Sequence, residues 1–141
     1  MDVKSDVLAD ATAIVGVLSS RDQHSVQASA WFKSLDKPLY TCEAVITEVL
    51  FLVKQDSEGR QRALGFLEDG ILRIGFDLAD ELEAVRYLMK KYDSVPMSLA
   101  DACLVRMSEM RGNSEILTFD QDFRIYRKFG RQIIPVIGLD G

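Results

Sequence analysis

Four carboxylates stand where side-chain packing alone would not place a charge. Asp10 closes the apolar run Val7-Leu8-Ala9, and Glu48 lies inside the apolar segment 44–53. Asp101 interrupts residues 99–105, and Asp120 follows Ile116-Leu117-Thr118-Phe119. Gathered carboxylates repel one another and are costly to strip of water, so a fold that converges them ordinarily holds a cation between them. Oxygen-only donors without His or Cys suit the hard ions Mg²⁺ and Mn²⁺ rather than zinc or copper. Such ions act on phosphate esters: paired ions, roughly 3.5–4 Å apart, generate an attacking hydroxide and neutralise the charge that builds on the phosphoryl group. The pattern therefore points to metal-dependent phosphodiester hydrolysis, with Asp10, Asp101 and Asp120 holding the metal. Glu48 is expected to bind the metal or its water. An aspartyl-phosphate phosphatase would want Asp-x-Asp after the first strand, and the chain has Asp10-Ala11-Thr12.

Each acid also has a purely structural explanation. Asp10 could cap the helix that follows it, a role for which Thr12 competes. Asp101 stands three residues after Ser98, as in a capping box with Asp in place of Glu. Asp120 or Asp122 could cap a short helix. Glu48 is the hardest to dismiss, because it shares a helical stripe with Ala44, Val45, Val49 and Leu52, and a fully buried Glu is rare unless paired or metal-bound.

The elements that must position these groups are legible in the periodicity. Residues 7–9 read as a short buried strand, and Ala13, Ile14, Val17 and Leu18 then recur at helical spacing. Residues 21–24 form a polar turn, and Ala28, Trp31, Phe32 and Leu35 mark one face of a second helix. Pro38 breaks it before the strand 39–41. A third helix covers 44–52, ended by 56–59. A fourth covers 62–68, and a strand 71–76. Residues 78–92 give a fifth helix, and Ser98 opens a sixth running to about Met110. A strand at 115–118, a short helix at 122–128 and a strand at 133–136 complete the chain. Short strands alternating with longer helices predict a parallel sheet covered on both faces. Ligands of such sheets gather beyond the carboxyl ends of the strands, the rim where Asp10 and Asp120 fall.

Composition narrows the classes further. With 141 residues and no repeat or Pro/Gly-rich linker, the chain is expected to form a single domain, residues 1–141. Its 48% hydrophobic and 28% charged residues match a soluble globular protein, and the apolar run 49–53 is far too short to span a bilayer. The start, Met1-Asp2-Val3-Lys4-Ser5-Asp6, lacks the basic and apolar regions of an export signal, so a cytoplasmic protein is expected. Cys42 and Cys103 are expected to be buried free thiols, and with one histidine, His24, a Cys/His zinc site lacks ligands. His24 itself reads as a surface or capping residue. A net charge of −5 argues against long-range attraction of a polyanion, although a metal-filled acidic site still presents positive charge to a phosphate. No glycine-rich phosphate loop and no Ser–His–Asp or Cys–His constellation is present.

The segments Leu8-Ala9-Asp10-Ala11-Thr12, Ile46-Thr47-Glu48-Val49, Ser98-Leu99-Ala100-Asp101-Ala102 and Leu117-Thr118-Phe119-Asp120-Gln121-Asp122-Phe123 resemble, in order and spacing, the PIN-domain family. Within it the chain is most similar to the VapC-like ribonucleases, the toxin halves of toxin–antitoxin pairs. The resemblance implies that Asp10, Glu48, Asp101 and Asp120 are the family's four acids, with Asp122 a helper and Thr118 supporting the site through its hydroxyl. Many members carry a hydroxyl residue directly after the first Asp; here it falls one place later, at Thr12. The implied fold is a three-layer α/β/α arrangement around a parallel sheet of about five strands, order 3-2-1-4-5. The implied activity is Mg²⁺- or Mn²⁺-dependent endoribonuclease cleavage of RNA. The implied partners are an antitoxin protein and a second copy of the chain as a homodimer. Arg124, Arg127, Lys128 and Arg131 form the one late basic cluster, offering weak RNA contacts or a solvated helix face. Trp31, Phe32 and Tyr126 offer base stacking or, for the first two, core packing. A catalytically silent PIN-like binding module and a DNA-directed structure-specific nuclease are the competing functions.

Overall fold

The computed structural model describes residues 5–139; residues 1–4, read above for an export signal, lie outside the described residues. The chain runs β1 (Asp6–Ala9), α1 (Ala11–Leu18), α2 (Ser25–Ser34), β2 (Leu39–Thr41), α3 (Glu43–Leu52), α4 (Ser57–Glu68), β3 (Leu72–Ile74), α5 (Leu82–Lys91), α6 (Leu99–Met110) and β4 (Ser114–Leu117). A 3₁₀ turn (Gln121–Arg124) follows, then β5 (Arg127–Lys128), β6 (Gln132–Ile133) and β7 (Val136–Ile137). Five strands make one parallel sheet in the order β3-β2-β1-β4-β7, inside a three-layer α/β/α fold.

That order matches the expected 3-2-1-4-5, but the last strand is displaced. Residues 132–133 pair antiparallel with 127–128 instead of joining the main sheet. Phe129 and Gly130 both adopt positive φ, 54° and 85°, the backbone of a tight hairpin turn. The expected helix over 122–128 is therefore cut short to the 3₁₀ turn, and the final sheet strand begins only after Pro135. Asp56 also differs from expectation. It does not end α3 but caps α4, its carboxylate accepting the Gly59 N–H at 3.0 Å, so α4 begins five residues earlier than its apolar pattern suggests. α5, by contrast, is shorter than its apolar pattern suggests, beginning at Leu82 after an exposed stretch.

The core lies between sheet and helices. Leu8, Ala9, Leu39, Leu72, Ile116 and Leu117 from the strands are fully buried, against Ile14, Val45, Leu104 and Met107 from the helices. Trp31 and Phe32 pack half-buried on this core, which settles their role as packing. Cys42 and Cys103 are free and buried, and their thiols hydrogen-bond to each other. Among the described residues no helix is long and apolar enough to cross a membrane.

Two local features matter for the site. In the β1–β4 register Ala9 faces Leu117, so Asp10 and Thr118 emerge side by side at the carboxyl edge. In α1, a Cβ on Gly16 would stand 2.7 Å from the Cβ of Ala28 and 3.4 Å from the carbonyl of His24. Only glycine lets α2 and the turn before it settle this closely on α1.

Candidate active site

The acids arrive from four separate elements. Asp10 is the N-cap of α1, its Oδ1 accepting the Ala13 N–H at 3.0 Å. Ser98 caps α6 by accepting the Asp101 N–H at 3.0 Å, which holds Asp101 in the first turn. Asp120 caps the 3₁₀ turn through the Asp122 N–H at 2.9 Å. Glu48 projects from the middle of α3, which starts directly after β2 because Thr41 anchors that strand to the Ala9 carbonyl at 2.9 Å. Capping and site membership are thus not alternatives: the caps aim these carboxylates at the strand ends.

Asp10, Glu48, Asp101 and Asp120 line one cavity of about 210 Å³, together with Thr12. Among the described residues the ion pairs join Arg106 to Glu81 and Glu109 and Arg111 to Asp6, and none reaches a cavity acid. The charges therefore face one another without an internal counter-ion. Burial and the neighbouring Asp101 and Asp120 raise the pKa of Glu48. Burial also raises Asp101, opposed by the Tyr126 hydroxyl that donates to its Oδ2 at 2.8 Å, with Asp120 adding to the rise. Asp122 is raised by burial and by Asp120.

Asp10 is the most enclosed of the set, 4% exposed, and burial pushes its pKa up to about 7. Three donors resist that rise. Thr118 donates to its Oδ2 at 2.5 Å, Thr12 to its Oδ1 at 2.7 Å, and the Ala13 amide to the same oxygen. The two threonines serve twice. The Thr118 hydroxyl oxygen accepts the Asp120 N–H at 2.9 Å, and that of Thr12 accepts the Phe119 N–H, also at 2.9 Å. Thr12, read from the sequence as a rival cap, is instead a strut between α1 and the segment after β4.

The carboxylate oxygens that come within 4.8 Å of one another belong to Asp101, Asp120 and Asp122. The expected trio of Asp10, Asp101 and Asp120 lines one cavity, and Asp122 is a further carboxylate close to Asp101 and Asp120. The Asp10 oxygens are turned onto hydroxyls and an amide, which keeps them on the cavity wall, whereas Asp122 is brought in by the tight 3₁₀ turn. An all-carboxylate trio, in which burial and the Asp120 charge raise the pKa of Asp101 and Asp122, fits a hard divalent cation, which would relieve the repulsion the protein leaves unpaired. Glu48 differs from its expected full burial: it is half-buried, on the cavity side of α3.

Arg124 donates to the Leu139 carbonyl, and Arg127 to the carbonyls of Arg124, Ile125 and Tyr126. Lys128 is buried, its ammonium 5.7 Å from the Phe129 ring centroid, leaving Arg131 exposed. Arg127 and Lys128 are thus engaged within the hairpin, while Arg124 and Arg131 keep exposed surface. Tyr126, considered for base stacking, is fully buried between Tyr92 and Phe123. His24, read as a surface or capping residue, stands at the start of α2 without a side-chain cap bond and stacks on Phe119, centroids 4.5 Å apart and planes 6° from parallel. Thr41 and the His24–Phe119 contact escaped sequence reasoning, since a strand-end hydroxyl and a distant aromatic partner carry no local signal.

Residues 7–128 match the sequence profile of the PIN domain. Among solved structures, the chain is similar to Mycobacterium tuberculosis VapC20, a sarcin-ricin loop cleaving toxin, with a TM-score of 0.75 and 17% identity over 83% of this chain and 92% of that one. At that identity the likeness is one of fold. No curated protein sequence matches it convincingly.

Proposed function

The chain belongs to the PIN domain family, and from that membership we propose that it is a Mg²⁺- or Mn²⁺-dependent endoribonuclease hydrolysing RNA phosphodiester bonds. The observation that carries the proposal is the convergence of four carboxylates on one cavity with no cationic side chain among them. Asp101, Asp120 and Asp122 would hold the ion, with Asp10 and Glu48 on the adjoining wall. A bound divalent ion supplies Lewis-acid charge beside a phosphate. Asp10, fixed by Thr12 and Thr118, orients the Asp120 segment through those shared hydroxyls. Glu48, on the cavity wall and with its pKa raised by burial and by Asp101 and Asp120, would accept the proton of the attacking water. Tyr126 holds Asp101 in place and favours its ionised form.

Single-stranded or structured RNA is the proposed substrate, and the likeness of fold to VapC20 supports a role as the toxin of a toxin–antitoxin pair acting in the cytoplasm as one domain. An antitoxin protein is then the expected partner, and a second copy of the chain the expected assembly. The test incubates purified protein with mixed RNAs in Mg²⁺, Mn²⁺ or EDTA, beside Asp101→Asn. Cleavage in metal, silence in EDTA and silence of the folded variant support the reading, since a neutral amide is a poor ligand for a hard cation. RNA turnover by Asp101→Asn at the wild-type rate refutes it.

A further inference from the structure

A cleft of about 1470 Å³ runs along the turn between α1 and α2 towards the start of α4, and it shares Thr12 and Asp120 with the carboxylate cavity. It exceeds the ~300–1,000 Å³ of ordinary small-molecule sites, and its continuity with the acids marks it as the path of a chain-like ligand. His24, Phe119 and Asp120 line it, together with Arg21 and Arg62. We propose that a single-stranded segment of the RNA lies in this cleft and that the His24 ring, backed by Phe119, stacks a nucleobase next to the scissile phosphate. The proposal deepens the ribonuclease reading and rests on it for the identity of the ligand.

The placement is set by named contacts. Phe119 immediately precedes Asp120, and its amide is tied to Thr12, so its ring keeps a fixed distance from the carboxylates. Phe119 is 9% exposed and lies parallel to His24, covering one face of the imidazole, while His24 itself lines the cleft and remains half-buried. The Gly16–Ala28 contact lowers the α1–α2 turn onto α1 and so holds His24 against Phe119. An imidazole face backed by the ring of the residue next to Asp120 suits base stacking, which accepts any base. Arg21 and Arg62 are exposed, and Arg62 is steadied by the Leu18 carbonyl at 3.3 Å, which suits it to a backbone phosphate. Of the acids that also line the cleft, Asp22 accepts the His24 N–H and Asp56 the Gly59 N–H, and Glu58 lies at the exposed start of α4.

The experiment uses short single-stranded RNAs carrying 2-aminopurine at successive positions, bound in Ca²⁺ to the full chain and to His24→Ala and His24→Phe. Stacking quenches the fluorophore at one position in the wild type. Truncation to alanine should weaken binding roughly 5- to 150-fold and abolish that quench, whereas phenylalanine should preserve both. In cleavage assays the alanine variant should raise KM by a similar factor and change kcat far less. Thermal melts identify any variant that has lost its fold, and the phenylalanine variant then decides. Binding within twofold of wild type for His24→Ala, with the quench intact, overturns the proposal while leaving metal-dependent cleavage standing. His24-dependent quenching without metal-dependent cleavage supports the platform and instead overturns the ribonuclease reading.

Discussion

Replacing Thr118 by valine keeps the shape of a buried side chain and removes one hydroxyl, which here donates to Asp10 and accepts from the Asp120 amide. A hydrogen bond to a charged group contributes ~1.5–3 kcal/mol and a neutral one about 1 kcal/mol. The substitution should therefore cost roughly 2–4 kcal/mol when Asp10 is ionised, at pH 8. The sign with pH follows from the Asp10 carboxyl, whose pKa rises from 3.8 to about 7 on folding. Between those values the folded chain binds a proton that the unfolded chain lacks, so this group stabilises the fold below pH 4 and loses that contribution as pH rises through 7. In metal-free protein the loss amounts to about three pH steps of ~1.4 kcal/mol, or roughly 4 kcal/mol. Because Thr118 favours the ionised form, its removal should steepen the decline, and the penalty should shrink to about 1–2 kcal/mol at pH 5. Urea unfolding in EDTA at both pH values measures this directly. A penalty below ~0.5 kcal/mol, or one equal at pH 5 and pH 8, would refute the assignment of the hydroxyl as the strut of the site.

Asp122→Asn should weaken Mn²⁺ binding at least tenfold, read by calorimetry, because Asp122 belongs to the close carboxylate trio; unchanged affinity would return the third ligand to Asp10. In the wild type, Mn²⁺ at a hundred times its Kd should add about 2.7 kcal/mol of stability, reversed by EDTA, and a melting curve blind to the ion would count against a metal site. Tyr126→Phe should raise the pKa of Asp101 further by deleting its hydroxyl donor. The acid limb of the pH–rate profile then moves to higher pH, and a limb that stays put would separate Asp101 from the essential ionisation. Gly16→Ala should destabilise the fold by about 1–2 kcal/mol despite the better helix propensity, since its Cβ would meet the Ala28 Cβ at 2.7 Å; a stabilised variant would show that the α1–α2 contact yields easily.

The parallel sheet and the acids were legible because each rests on a local signal, whereas the strand order followed from the resemblance to the PIN family. Apolar runs of three or four residues followed by an acid mark strand ends, and Ser98 marks a helix start. Glu48 was visible because its charge breaks an apolar stripe. What escaped depends on contacts between residues far apart. Whether Asp10 or Asp122 joins Asp101 and Asp120 turns on hydroxyls from Thr12 and Thr118, which lie on opposite sides of the fold in sequence. The hairpin at 127–133 escaped because Phe129 takes a positive φ that its residue type does not announce. Likewise, Arg124, Arg127 and Lys128 read as a basic face until their backbone partners and burial are known.

The strut linking Asp10 and Thr12 to Thr118 and Phe119 spans 108 and 107 residues of sequence. During synthesis the amino-terminal quarter of this protein is extruded long before its counterparts exist, and Asp101, Asp120 and Asp122 are still untranslated. The carboxylate cluster therefore forms only on long-range closure of the chain, and no local element assembles it alone.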